Sequence, residues 1–211
     1  SSDVCSSDLA LKEAALTQES LNAEVRRLAF LLSLTERLQP ATELREIGQF
    51  ALSYLVEVMG AAFGDVKVIT GEGIDREASI LTNQISARFI ATYGEIAVAE
   101  MQKMLERGIP YGQGLLWKVV ETGKPLFIEE YHKNSQALPS FRHPAIGQLG
   151  IFPIPAADGT IIGVLTLESR SLQKLQEAPQ QDMLMAACRT LGIAIERAQA
   201  QKYLRQINED L

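Results

Sequence analysis

The stretch LGIFPIPAADGTIIGVLTLE, residues 149–168, consists of two apolar runs separated by Asp158-Gly159. An Asp-Gly pair between two hydrophobic runs is one of the stronger short-range hairpin signals. Pro153 and Pro155 lie two residues apart, so their missing N–H groups would face the same neighbour. We therefore predict a β-hairpin of residues 149–156 and 160–168, whose first strand has an edge, a bulge or a cavity on one side.

A helix-sized segment precedes the hairpin. Gly112-Gln-Gly114 introduces the apolar residues 115–121, and Thr122-Gly123-Lys124-Pro125 ends them, because Gly supplies the C-terminal turn and Pro blocks continuation. Residues 126–128 predict a short strand. Before the hairpin we thus expect a helix and then one further strand.

The polar loop that begins at Glu129 is about 20 residues long and holds both histidines of the chain. A connection of that length inside a compact domain usually has a function. Within it, His143-Pro144 predicts the entry to a helical turn, because Pro is favoured at the first helical position. Together with the hairpin, this loop predicts a lidded pocket beside a sheet.

The N-terminal part predicts two helices. Residues 10–39 contain neither Gly nor Pro, and Leu21, Val25, Leu28 and Leu32 follow a four-three-four spacing. That spacing is typical of a coiled-coil seam or of a helix packed along one stripe. After Pro40, Thr42 predicts the N-cap of a second helix that ends near Gly60.

The middle of the chain is less regular. Residues 65–70 alternate in a way that suits a mostly buried strand, and residues 78–83 are a candidate for the next one. Residues 97–107 lack helix breakers and carry apolar side chains at helical spacing, which predicts a helix ending at Gly108.

The last segment, from about Pro179, predicts one long helix with two stripes. The first stripe has a four-three-four-three spacing, and the second is offset from it. We expect the first half of the helix to pack on its own domain and the second half to leave it. The stripes are Leu184, Cys188, Leu191, Ile195 and Ala198, then Leu204, Ile207 and Leu211.

Composition limits the class of protein. The chain of 211 residues is 46% hydrophobic and 22% charged, which suits one globular domain with flanking segments. A formal net charge of -6 argues against nucleic-acid binding, which needs clustered Lys and Arg. No apolar run approaches the ~20 residues of a transmembrane helix, so we expect no membrane span in this segment.

The two cysteines, Cys5 and Cys188, are far apart and have no partner at metal-ligand or redox spacing. This favours a reducing, cytoplasmic setting. Residues 1–9, SSDVCSSDL, repeat Ser-Ser-Asp and resemble a translated sequencing-adapter remnant more than native protein. We interpret them as a non-native leader and leave them, with Cys5, out of the functional reasoning.

With these elements in order, residues 41–198 resemble a GAF domain, the small sensory fold of many signalling proteins. The resemblance rests on the order and spacing of several segments rather than on any one of them. They are Gly114-Leu115 with Val119 and 122–125, then 141–146, 149–155, 163–165, Leu167-Glu168 and the helix ending at 194–198.

The resemblance implies an α+β, profilin- or PAS-like fold. We expect an antiparallel sheet of five or six strands, with helices on one face and the pocket and lid loop on the other. Residues 10–39 then form an N-terminal coiled-coil-like signalling helix, 41–198 the GAF domain, and 199–211 the start of a C-terminal linker helix.

The sequence departs from several GAF subtypes. Bilin-binding relatives attach the pigment through a Cys in or near the lid, commonly followed by His, whereas Tyr131 precedes His132 here and the lid has no Cys. The usual cyclic-nucleotide signature after the last strand is replaced by Ser169-Arg170-Ser171. GAF enzymes that reduce free methionine sulfoxide rely on pocket cysteines, and Cys188 lies on the helical stripe. We therefore predict a protein that is not an enzyme.

Eight residues in or near the lid are candidate ligand contacts. His132 and His143 could approach a ligand, a haem or a metal, or could be a solvated side chain and a helix start. Arg142 could bind a carboxylate or phosphate, or could pair with an acidic residue. Aromatic side chains suit a small-molecule pocket, although a Trp on a helix or a Phe in a strand is more often core. The candidates are Trp117, Phe127, Tyr131, His132, Phe141, Arg142, His143 and Phe152.

The leading expectation is a sensory domain that binds an unidentified small molecule and signals through its terminal helices. It would be a homodimer through residues 10–39 and 180–211, joined to an output module such as a histidine kinase, diguanylate cyclase or transcription activator. The alternative is a ligand-free dimerisation spacer, and a haem- or bilin-binding sensor is less favoured. An enzyme on this scaffold would lose its activity when His132, Arg142 or His143 is changed.

Overall fold

A computed structural model describes residues 2–71, 85–97, 99–170 and 175–209. It contains one antiparallel six-stranded sheet with the strand order β3-β2-β1-β6-β5-β4. The strands are β1 (Phe63–Thr70), β2 (Ser86–Gly94), β3 (Ile109–Pro110), β4 (Leu126–Ile128), β5 (Gln148–Pro155) and β6 (Ile161–Ser169). The α-helices are α1 (Ser2–Leu38), α2 (Leu44–Met59), α3 (Ala99–Arg107), α4 (Leu116–Thr122) and α5 (Ala178–Glu209). The predicted α+β fold is confirmed.

The β5–β6 hairpin lies near the middle of the sheet. Its turn has Gly159 at φ 88°, and the backbone N–H of Thr160 donates to Asp158 Oδ1 at 2.8 Å. Strand β4 pairs only with residues 149–151 of β5, so Pro153 and Pro155 lie beyond the edge that β4 covers. The register also shifts between Ile154 and Pro155. The Pro pair is therefore accommodated by both an edge and a bulge.

Helices α1, α2 and α5 cover one face of the sheet. They enclose an almost entirely aliphatic cluster, the helix-face core, to which the sheet contributes Val66, Phe152, Ile154, Leu165 and Leu167. Helix α5 approaches β5 so closely that a Cβ on Gly192 would lie 1.9 Å from the carbonyl oxygen of Pro155. The helix can pack here because Gly has no side chain.

The opposite face carries a second hydrophobic cluster, the cavity-face core. It lies between the sheet, α3, α4 and the lid loop, residues 129–147. In the lid loop, the helical turns are 3-10 turns at Tyr131–Lys133 and Pro139–Phe141. At the predicted entry His143-Pro144 the chain makes one hydrogen-bonded turn, in which the backbone N–H of Ile146 donates to the carbonyl oxygen of His143 at 3.0 Å, and no helix follows.

Helices α1 and α5 pack side by side in the same direction. Arg197 of α5 donates to the carbonyl oxygen of Leu38 at 2.8 Å. On the N-terminal side of this contact in each helix, the pKa of Arg27 is raised by Glu24 and also by Asp182 of α5, whose charge is therefore near residue 27. Because the pairing is parallel, the free part of α1 and the free part of α5 extend from opposite ends of the domain.

The burial of α5 follows its two predicted stripes. All five residues of the first stripe are buried, whereas Leu204 and Ile207 are exposed, and Leu211 lies outside the described residues. Of the α1 seam, Leu21, Val25, Leu28 and Leu32 are all exposed, because Phe30, Leu34 and Leu38 face the domain instead.

Three other details differ from the sequence predictions. The N-cap of α2 is Glu43 rather than Thr42, because Glu46 accepts the backbone N–H groups of both residues at 3.4 and 3.2 Å. Strands β2 and β3 were not predicted. The burial of β2 has no regular alternation, and its pairing with β1 is interrupted by a bulge at Val66/Lys67. Strand β3 has only two residues. The candidate strand 78–83 lies outside the described residues.

Candidate functional site

A narrow cavity of about 50 Å³ lies between the sheet and the lid loop. Most of its lining is apolar, and it comes from β1, β3, β5, β6, α3, the start of α4 and the lid. The apolar lining residues are Phe63, Met101, Ile109, Leu115, Leu116, Tyr131, Leu138, Phe141, Ile146, Leu149 and Ile151.

Four polar side chains form the part of the lining that we call the cavity floor: Asp65, Lys67, Thr166 and Glu168. Alternate residues of a strand point to opposite faces, so these four lie opposite the apolar residues that enter the helix-face core. All four are buried. The strands thus place ionisable groups under an apolar cavity.

Lys67 is fully engaged within the floor. Its ammonium group donates to Asp65 Oδ1 and, at 3.0 Å, to Thr166 Oγ1, and it lies 4.7 Å from the centre of the Phe89 ring. Burial raises the pKa of the Asp65 carboxyl group, and the Lys67 charge opposes that shift. The pair is held by its own hydrogen bonds rather than by solvent.

Glu168 has one occupied and one open oxygen. Oε1 accepts the backbone N–H of Gly147 at 3.1 Å and Nε of Arg170 at 2.9 Å. Oε2 is buried and has no hydrogen-bond partner among the described residues. Arg170 itself extends outwards to the carboxylate of Glu95 at 3.0 Å. An unpaired buried carboxylate oxygen is costly and calls for an explanation.

The lid loop is held in shape by hydrogen bonds between its own side chains and its own backbone. The Tyr131 hydroxyl accepts the backbone N–H of Leu138 at 3.1 Å. Arg142 donates through Nε to the carbonyl oxygen of Ala137 at 3.0 Å and through Nη2 to that of Ser135. The lid is therefore a compact loop whose shape depends on side chains within it.

The structure brings only two of the eight predicted ligand contacts to the cavity, Tyr131 and Phe141. Arg142 is exposed and clamps the lid instead. His143 is exposed, and its Nδ1 accepts the backbone N–H of Ala145 at 3.1 Å. His132 is half-buried, and its Nδ1 has no partner among the described residues, but it does not line the cavity.

The other three aromatic candidates lie away from the cavity lining. Trp117 is buried in the cavity-face core, where Nε1 donates to the carbonyl oxygen of Pro110 at 2.8 Å. Phe127 and Phe152 meet edge to face at 5.6 Å on the side of the helix-face core. Phe152 points there because its neighbour Ile151 points to the cavity.

Sequence reasoning missed the cavity floor. The available signal was the pair of charged residues Asp65 and Lys67. They lie two residues apart in a strand whose opposite face is apolar. Such spacing places both charges on one face of a buried strand. Thr166 and Glu168 repeat the same spacing in β6.

Metal and thiol chemistry gain no support from the part of the chain that the structure describes. No group of three or more His, Cys, Asp or Glu side chains there is arranged to hold a metal ion. Burial in the helix-face core raises the pKa of the Cys188 thiol, which disfavours the reactive thiolate. Within these same residues, no helix combines the length and apolar character that a bilayer crossing requires.

Known structures share this architecture. The GAF domain of an Acinetobacter phosphoenolpyruvate-protein phosphotransferase superimposes with a TM-score of 0.62 and 15% identity, covering 83% of this chain and 95% of that one. The free methionine-R-sulfoxide reductase of Neisseria meningitidis, in complex with its substrate, gives 0.62 and 14%, covering 83% and 91%. Residues 122 to 287 of a methyl-accepting chemotaxis protein give 0.58 and 18%, covering 80% and 98%.

At these identities the structural likeness establishes the fold alone. No curated protein matches the chain significantly by sequence. The sequence model of the GAF domain family, however, matches residues 41–196, which is well over half of the chain. The chain therefore belongs to the GAF domain family.

Proposed function

We propose that this protein is a regulatory GAF domain that binds a small molecule in the cavity and passes its occupancy to the terminal helices. The observation that carries the proposal is the cavity floor, four buried polar side chains beneath an apolar lining. Ionisable groups buried in this way cost stability that an aliphatic floor would not cost. Their presence in the lining of a cavity favours binding over simple packing.

Strand β5 supports a route from the cavity to α5. Its residues Leu149 and Ile151 line the cavity, while its far end lies directly against Gly192 of α5. Beyond it, the backbone N–H of Ala157 donates to Glu196 of α5 at 2.9 Å. A ligand that displaces β5 must therefore displace α5 or break these contacts. It does so only if it binds one arrangement more tightly than the other.

The exposed stripe of α1 supports a homodimer. Leu21, Val25, Leu28 and Leu32 are each more than half exposed and keep a four-three-four spacing, as in a coiled-coil seam. A second copy of α1 would cover them. Leu204 and Ile207 of α5 are exposed in the same way, so we expect α5 to pair as well. Helix α5 would then lead to a downstream output module such as a histidine kinase, diguanylate cyclase or transcription activator.

The dimer is tested by Leu28→Glu, which places a charge in the centre of the stripe. We expect sedimentation equilibrium to show a monomer, because the apolar contact is lost while the domain core is untouched. Ala23→Glu adds the same charge to an exposed position outside the stripe and should leave the dimer intact. A wild-type monomer at high micromolar concentration would rule out this dimer.

Signal transmission is tested with spin labels at Gln201 on the free part of α5. A ligand is first identified by native mass spectrometry of the purified protein or by thermal-shift screening of small metabolites of every charge class. The distance between the two Gln201 labels of a dimer should then change when the ligand is added. A second pair of labels, at Gln18 on α1, serves as the reference. Unchanged distances at Gln201 with a bound ligand would overturn transmission but not binding.

The second candidate function is a ligand-free dimerisation spacer. It is favoured by the size of the cavity, since about 50 Å³ holds only three or four water-sized groups. In this function the lid stays closed and the two chains are merely held in register. If no compound of any charge class stabilises the protein in the screen, the spacer replaces the sensor.

A further inference from the structure

We propose that the cavity selects a small molecule with an ammonium group, which donates a hydrogen bond to Glu168 Oε2. This inference rests on the proposed binding function and assigns the chemical class of its ligand. Glu168 lines the cavity with only 1% of its surface exposed, and Oε2 is the oxygen that has no partner among the described residues. A group with N–H donors satisfies that oxygen.

The charges of the floor favour a cation over a neutral donor. Two carboxylates, Asp65 and Glu168, face a single buried ammonium, that of Lys67. Arg170 approaches Glu168 from the outer side, with 30% of its side chain exposed, and shares its charge with Glu95. Because the ion pair with Arg170 is made through Oε1 alone, Oε2 keeps carboxylate charge that no cation of the described residues contacts. A charged N–H donor interacts with such an oxygen more strongly than a neutral one does.

The same floor disfavours an anionic ligand. Lys67 is the only cation of the described lining, and its ammonium group is already shared between Asp65, Thr166 and the Phe89 ring. An incoming carboxylate would have to displace Asp65, and it would then lie next to Glu168 on the same face of the sheet. Asp65 pairs with Thr166, and Phe63 pairs with Glu168, so the two carboxylates are diagonal neighbours on one face.

The remainder of the ligand is short and apolar. A cavity of about 50 Å³ has room for three or four non-hydrogen atoms, and the walls above the floor are Leu115, Leu138 and Ile146 among others. A larger amine would enter only by displacing the lid loop. A short alkylammonium ion therefore matches the closed cavity in charge, polarity and size.

The test uses n-propylammonium, n-propanol and acetate, three probes that have four non-hydrogen atoms each and differ in charge. Each is titrated into the full chain at constant ionic strength, while the backbone amide signals of Gly147 and Gly150 beside the floor are followed by NMR. We expect n-propylammonium to bind at least about tenfold more tightly than n-propanol and acetate not to bind, as a charge-assisted hydrogen bond would give.

Glu168→Gln supplies the site-specific comparison. The amide oxygen of Gln can still accept from Gly147 and Arg170, while its NH2 group replaces Oε2 with a donor, so n-propylammonium should lose its advantage over n-propanol. Glu95→Gln is the matched control, because it removes a carboxylate from the same Arg170 outside the cavity. It should bind all three probes as the wild type does.

Binding of n-propanol or acetate as tightly as n-propylammonium would overturn the inference while leaving a ligand-binding domain. Failure of all three probes would also overturn it, and the thermal-shift screen then decides separately whether the binding function stands. If Glu168→Gln keeps the preference for the amine, the ammonium group does not bind at Oε2, and the inference is overturned. If that variant does not fold, the comparison of the three probes on the wild type remains decisive.

Discussion

The two faces of the sheet are built from the same strands but differ in the polarity of the side chains that they bury. The helix-face core is closed by long helices and contains aliphatic side chains such as Leu52, Leu165 and Leu191. The cavity face contains similar aliphatic residues but adds a buried ion pair and a carboxylate with an open oxygen. The helix face stabilises the fold through apolar packing, whereas the cavity face buries ionisable groups at a cost in unfolding free energy.

The largest effect is expected for Lys67→Met, which leaves Asp65 as an uncompensated buried carboxylate. Breaking a buried ion pair from one side costs about 3 to 5 kcal/mol of unfolding free energy. Urea denaturation at neutral pH measures the loss. The double variant Lys67→Met/Asp65→Asn removes both charges and should recover most of it. Equal stability of the single and double variants would show that the pair is not coupled.

The same variant should become sensitive to pH. The pKa of Asp65 is already raised by burial, and removing the opposing ammonium raises it further. A carboxyl group with a raised pKa binds more protons in the folded than in the unfolded chain, so the unfolding free energy falls as pH rises above about 4. Lys67→Met should therefore be relatively more stable at acidic pH than at pH 7, and the double variant should lack this difference.

On the helix face, Leu191→Ala is expected to cost about 3 kcal/mol through lost burial and the cavity that remains. Leu191 is completely buried in a core whose buried members include no Asp, Glu, His or Lys, and burial raises the pKa of its one thiol, so the loss should be the same at pH 5 and pH 7. Comparison of its pH profile with that of Lys67→Met separates the two faces. A pH-dependent loss for Leu191→Ala would contradict the distinction.

A smaller effect is expected for Arg142→Ala, which removes the clamp of the lid loop. Two hydrogen bonds to backbone carbonyls are lost at an exposed position, and we expect about 1 kcal/mol. Hydrogen exchange of residues 135–142 should accelerate while the sheet stays protected, because the change is local. Unchanged exchange in the lid would show that the clamp is dispensable.

The smallest effect is expected for His143→Ala. The side chain is exposed and makes one local hydrogen bond to the backbone of Ala145, so the change in unfolding free energy should stay below about 0.5 kcal/mol. Binding in the cavity should be unaffected as well. A large loss of ligand binding would restore His143 as a contact and contradict its placement outside the lining.

The elements that were predicted well are those with local signals. The turn at Asp158-Gly159, the helix between Gly114 and Gly123, and the two stripes of α5 depend on residues close in sequence. The cavity floor depends instead on the pairing of residue 65 with residue 166, which no local pattern reveals. Aromatic residues near the lid were chosen by proximity in sequence, but strand alternation sends Phe152 to the other face.

Helices α1 and α5 run in the same direction and overlap over only part of their lengths. Two helices that run in the same direction share one core over the region between Arg27 and Leu38, and each continues alone from its own end. A displacement of α1 would reach α5 through this overlap. In the proposed sensor, a ligand that displaces β5 would change how α5 packs against α1 in the same region.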